Sequence, residues 1–150
     1  MALTSVIAIA ATGVLIEQVA KAPSPQPIVL RMRRVCQSCP NYVIRLTSDG
    51  DLSYEGGERT RITGLHERKL DPITTATIIH DFIESGFYDL ENEYPSPVHH
   101  MTVFISIEMS DTRMSKVVAS EDRYGPLLIV ELERLFDDLP GMRDLSGWAY

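Results

Sequence analysis

The stretch C-Q-S-C-P-N-Y-V-I-R-L-T-S-D-G-D-L-S-Y-E-G-G, residues 36–57, decides how this chain folds. Pro40 pushes the backbone of Cys39 into the extended region, so no helix starts there. From Tyr42 the side chains alternate. Tyr42, Ile44 and Leu46 face one side of a sheet, and Val43, Arg45 and Thr47 face the other. Asp49-Gly50 supplies the positive backbone angles of a tight turn, because glycine has no Cβ to clash. Leu52 and Tyr54 then resume the apolar face, and Glu55-Gly56-Gly57 ends the second strand. The pattern predicts a β-hairpin.

Upstream, residues 28–34 read as a strand, with Ile28, Leu30 and Met32 alternating with Val29, Arg31 and Arg33. Downstream, residues 60–65 read as a third pairing strand and residues 66–70 as a polar link to a helix. Asp71 is the expected N-cap of that helix and Pro72 its first helical residue. Ile73, Ala76, Ile79 and Ile83 recur at helical spacing with Phe82 beside them, and Gly86 provides a left-handed stop. Residues 87–98 form an aromatic and acidic connector. Residues 101–109 alternate again and pair with residues 113–119 in a second hairpin. Residues 126–138 read as the last helix, with Leu128, Leu132, Leu135 and Phe136 inward and Glu131, Glu133 and Arg134 outward. Trp148 lies in the tail. The predicted class is α+β: a mostly antiparallel sheet built from two hairpin regions, with two helices packed on one face.

C-x-x-C-P-x-Y at Cys36, the strand, Asp49-Gly50 and the strand with Y-E-G come in a recognisable order. They are followed by Asp71-Pro72, G-F-Y-D-L around Phe87, and Gly125-Pro126. In that order, over residues 28–148, they resemble an uncharacterised bacterial family, a domain of unknown function. Its members are often envelope proteins or lipoproteins. The resemblance implies the fold class and an envelope setting, and it implies no activity.

The chain has 150 residues, enough for one domain with a real hydrophobic core. Its formal net charge of −7 argues against nucleic acid as a partner, since phosphate binding needs a basic footprint. Bases gather early, at Arg31, Arg33, Arg34, Arg59, Arg61, Arg68 and Lys69. A solvated strand face is the favoured reading for them, and a positive patch the sharper one. Residues 2–16 are apolar, too short a run for a comfortable membrane span and suited to the core of an export signal or a tether. Ala20-Lys21-Ala22 resembles a cleavage site. Glu17, Pro23 and the lack of a base after Met1 count against cleavage. Residues 22–27 are Pro-rich linker, so the expected division is residues 1–27 as apolar segment and linker, and 28–150 as one α+β domain.

Cys36 and Cys39 are the most suggestive pair. A short-loop disulfide would stabilise the chain by only about 1–2 kcal/mol and would pin the hairpin. Thioredoxin-type pairs sit at a helix N-terminus that lowers the thiol pKa, and here a proline and a strand follow. Zinc would need two more ligands, for which His66, His80, His99 and His100 are the available imidazoles. A structural disulfide or buried thiols is favoured over either chemistry. Asp49 and Asp51 lack the other oxygens of a calcium loop. No G-x-S-x-G elbow, dinucleotide loop or phosphate loop is present. The sequence therefore implies no catalytic residue, no metal and no cofactor. It points to a non-enzymatic binding or structural domain at the envelope, periplasmic rather than cytoplasmic. A protein partner would be met through an aromatic patch at Tyr88, Tyr94 and Trp148. The rivals are a thiol-redox or metal-binding protein centred on Cys36 and Cys39, and an accessory subunit of a membrane assembly anchored through residues 2–16. No motif specifies an oligomeric state.

Overall fold

Strand β1 (Val29–Cys36) lies at the middle of the sheet and pairs antiparallel on both sides. The computed structural model describes residues 26–97, 103–111 and 115–147. The remaining strands are β2 (Tyr42–Thr47), β3 (Asp51–Gly56), β4 (Gly64–Lys69), β5 (Glu93–Tyr94), β6 (Val103–Ser110) and β7 (Ser115–Glu121). They form one 7-stranded sheet in the order β4-β3-β2-β1-β6-β7-β5. β1 to β4 make a meander running to one edge. Helix α1 (Pro72–Glu84) then carries the chain back across the sheet, so that β6 adds to the free side of β1. Among the described residues only the β5–β7 pair is parallel. Helices α2 (Leu127–Asp137) and α3 (Met142–Ser146) follow. The class is α+β, as the sequence predicts.

The two-residue period of the strands sorts the sheet into a dry face and an open face. Leu30, Met32, Tyr42, Ile44, Leu46, Leu52, Tyr54, Ile105, Ile107 and Val118 all point inward and are at most 2 % exposed. They meet Ile79, Phe82, Ile129, Leu132, Phe136 and Met142 from the helices in a single core. Phe82 lies at its centre, 5.0 Å from the Phe87 ring and 6.0 Å from the Phe136 ring. The alternate strand residues Arg31, Arg33, Arg45, Glu55 and Glu67 face the other way and are exposed. Among the described residues no helix covers that side.

The expected β2–β3 hairpin forms, with Gly50 at φ 90°. A Cβ there would lie 2.8 Å from the Leu70 carbonyl oxygen, so the turn needs glycine for space as well as for angle. The next strand is displaced from its expected place. Residues 60–63 are irregular, because their amides bond α3: Arg61 N to Ser146 O at 3.2 Å and Ile62 N to Leu145 O at 3.0 Å. Pairing resumes at Gly64–Lys69, which shares only Gly64 and Leu65 with the expected strand and otherwise runs through residues that the sequence reading treats as a polar link. β4 is an edge strand, and its charged exposed residues hide the apolar alternation on which that reading depends.

The caps of α1 are as expected: the Asp71 carboxylate accepts from Thr74 N at 2.9 Å, with Pro72 in the first turn. Its expected stripe is rotated. Ile73 is 81 % exposed and Ile83 is exposed, while Thr75, Ile79 and Phe82 are buried. Thr75 can be buried because its hydroxyl donates to the Asp71 carbonyl at 2.9 Å. In α2 the inward set is Ile129, Leu132, Glu133, Phe136 and Asp137. Leu128 and Leu135, expected inward, are only partly buried, and Glu133, expected outward, is fully buried. The connector holds a 3-10 turn (Phe87–Asp89) and β5, and the tail holds α3, none of which has a periodic signature long enough to read. The N-terminal apolar run, the adjacent histidines His99 and His100, and Trp148 lie outside the described residues.

Candidate functional site

The C-x-x-C motif closes the far end of the β1–β2 hairpin. Cys36 is the last residue of β1, and its sulfur is bonded to that of Cys39 at 2.01 Å. Both cysteines are buried, at 6 % and 9 % exposure. Neither lies at a helix N-terminus, the setting that activates a thiol. The Cys39 amide points at the Cys36 sulfur at 2.9 Å. Asn41 ties this loop to the rest of the sheet. Its side-chain oxygen accepts from the Cys36 amide, its own amide donates to Glu58 O at 2.9 Å, and its carbonyl accepts from Gly57 N at 2.8 Å. The disulfide and Asn41 together fix where β1, β2 and the exit of β3 converge.

On the dry side of that convergence sits a buried ionic cluster. Register places Arg34 opposite Tyr42. Its guanidinium donates to the Tyr42 hydroxyl and to Asp137 Oδ2, the latter at 3.1 Å, and pairs with Glu133. The Tyr42 hydroxyl donates to Asp137 Oδ1, and the Arg34 guanidinium lies 4.9 Å from the Tyr42 ring centroid. Arg123 closes the set with two bonds of 2.9 Å to the two oxygens of Glu133. Its backbone holds φ 57°, a left-handed angle outside glycine that persists only where contacts enforce it. The cluster balances two guanidiniums against two carboxylates. Arg34, Glu133 and Asp137 are inaccessible to water, so it serves to lock α2 to β1 rather than to meet a ligand. Beside it, burial raises the pKa of the Tyr54 phenol above its ordinary value, an effect the Thr60 hydroxyl partly offsets.

On the open side of the same strands lies a groove of about 470 Å³, walled by Arg31, Arg33, Val35, Asn41, Val43 and Glu55 with the Gly56–Glu58 backbone. A second concavity of about 430 Å³ continues it over Arg31, Val43, Arg45, Ser53, Leu65 and Glu108. Of the early bases, Arg31 and Arg33 present their side chains here, and buried Arg34 backs onto the groove from the dry side. Arg34 is on the dry face, Arg68 donates to the Pro140 carbonyl at 2.7 Å, and Lys69 pairs with Asp51 at 2.7 Å. Arg45 joins them from β2. Arg31 and Arg45 are directly opposite one another, and Glu108 reaches Arg31 only at 3.9 Å. Exposed Leu65 and Val117 add apolar area to the face.

The other expected residues lie elsewhere. Tyr88 and Tyr94 are each half-buried against the core. The Tyr94 ring lies where a Cβ on Gly125 would have to stand, at 2.8 Å, and its hydroxyl accepts from Glu91 N at 2.8 Å. Burial, and then the charge of Asp111, raise the pKa of the Tyr88 phenol. His66 bonds the Thr63 carbonyl at 3.2 Å and His80 is exposed on α1. Among the described residues no three His, Cys, Asp or Glu side chains are grouped to hold a metal. Sequence reading missed the roles of Glu133, Asp137 and Arg45. Glu133 and Asp137 are four residues apart on the same helical stripe as Ile129, Leu132 and Phe136, and Arg34 continues the inward alternation of Leu30 and Met32. Those two periodicities were the available signal.

Among curated proteins none matches this chain. A model described as "Domain of unknown function (DUF6438)" matches residues 28–140, from the start of the β1 strand past the end of α2. The match takes in the disulfide, the ionic cluster and the arginine-bearing groove, and the chain belongs to that DUF6438 family.

Proposed function

We propose that this chain is a non-catalytic binding domain of an oxidising, envelope-side compartment, and that it holds a protein partner against the open face of its sheet. The carrying observation is the asymmetry of the sheet. One face is packed to near-zero exposure. The other mixes arginines, valines and Leu65 over two adjoining concavities, with exposed Val117 farther along the same face. Arginine with apolar neighbours is the composition enriched where proteins meet. The disulfide supports the compartment, because such bonds persist where thiols are not kept reduced. Burial of both sulfurs, away from any helix N-terminus, supports a staple over a catalytic thiol pair.

Site-directed photo-crosslinking in the native host tests this reading. A benzophenone side chain at Val43, in the groove, should give a discrete adduct, and one at exposed Ala76 on α1 should not. Equal labelling at both positions, or none at Val43, would contradict it. Turnover of a disulfide substrate that disappears in Cys36→Ser would establish the redox rival instead.

A further inference from the structure

The open face carries a charge conflict that folding alone does not explain. Register sets Arg31 of β1 directly opposite Arg45 of β2, and Arg33 follows two residues along β1 on the same side. Opposed residues in an antiparallel pair have Cβ atoms about 4.5–5.5 Å apart, and like charges there are destabilising. Glu108, at 3.9 Å from Arg31 and half-exposed with it, offers one weak counter-charge. Among the described residues no carboxylate pairs with Arg33 or Arg45. This concentration of cation stands on a chain of net charge −7.

We propose that Arg31, Arg33 and Arg45 are a recognition site for an extended acidic protein segment with carboxylates at alternate positions. The inference rests on the open face being the binding surface. Arg31 and Arg33 stand about 6.6 Å apart along β1, at about 3.3 Å per strand residue. Carboxylates at alternate residues of an extended segment repeat at the same interval. Guanidiniums pair with carboxylates through two parallel hydrogen bonds, which gives strength and geometry together. The sheet holds the three side chains on rigid strands, so little ordering is left for binding. Val43 stands directly opposite Arg33 and Val35 follows Arg33 along β1, so apolar surface adjoins the cations and can receive the aliphatic stems of the acidic side chains. Glu55, Glu67 and Glu108 frame the trio. They set a limit on partner charge that a short segment respects and a continuous polyphosphate does not.

The test is fluorescence anisotropy on the full chain with a labelled ten-residue peptide of alternating Glu and Thr. A block peptide of the same composition and a DNA duplex serve as comparisons. The alternating peptide should bind best, and Arg33→Gln with Arg45→Gln should weaken it at least about tenfold. Arg143→Gln, on α3, should leave binding unchanged. Arg45→Gln alone should raise Tm while lowering affinity, the mark of a residue kept for binding at the expense of stability. No binding of the alternating peptide, equal binding of both peptides, preference for DNA, or insensitivity to the arginine changes would overturn the proposal. If any of these occurs while Val43 still crosslinks a partner, the face is a binding surface of different chemistry. If Val43 crosslinking is lost too, both readings fall.

Discussion

Arg34 occupies a position where the alternation of β1 calls for another leucine or methionine. Instead it brings a charge into the core, and Glu133 and Asp137 neutralise it from α2. Charges removed from water are costly unless every partner is present. Arg34→Met should therefore lower stability by about 3–5 kcal/mol, because it strands buried carboxylates. Combining it with Glu133→Leu and Asp137→Leu should recover most of that loss, since an apolar set of similar volume is often as stable as a buried ionic one. Chemical denaturation of the single and triple variants decides this. A harmless single change, or a triple variant no better than the single, would contradict the neutralisation described here. The sequence made Arg34 look like one of several surface bases. The alternation of β1 points it inward, but the carboxylates that let a charge stay there lie about a hundred residues downstream on a helix whose rotation is set by packing.

At the scale of elements, α1 shows what local pattern can and cannot decide. Asp71, Pro72 and Gly86 were legible because caps are local chemistry. The buried stripe was not, because Ala76 and the four isoleucines of the helix allow more than one apolar face and the sheet selects among them. Ile73→Lys should accordingly leave Tm nearly unchanged, whereas Phe82→Ala should cost about 3–5 kcal/mol. Differential scanning calorimetry separates them, and a large loss at Ile73 would mean the stripe is oriented as the sequence alone implied. The cap also makes a pH prediction. The Thr74 side chain, then backbone amides, hold the Asp71 carboxyl below its ordinary value of 3.8. A lowered folded-state pKa contributes stability that is present above the unfolded value and lost as pH falls through the folded one. Asp71→Asn keeps an acceptor without a titration, so it should flatten that part of the acid limb below pH 3.8. An unchanged acid limb in Asp71→Asn would place the titration elsewhere.

For the whole molecule, the sequence disclosed the class and both hairpins. The long-range order β4-β3-β2-β1-β6-β7-β5 was not available from it, because no local signal says that β6 returns to β1. The candidate site divides the same way. Cys36 and Cys39 announced themselves by spacing. The arginine trio emerges only when register places Arg45 against Arg31. The two sheet faces then differ in kind: one holds the chain together, and the other is the face on which the proposed function places a partner. The most direct measurement is an arginine-labelling footprint with phenylglyoxal, read by mass spectrometry on the purified chain and in the native host. Arg33 and Arg45 should label readily when purified and be protected in the host, with buried Arg34 unreactive in both. Equal labelling of Arg33 and Arg45 in the two settings would mean that nothing docks on the open face.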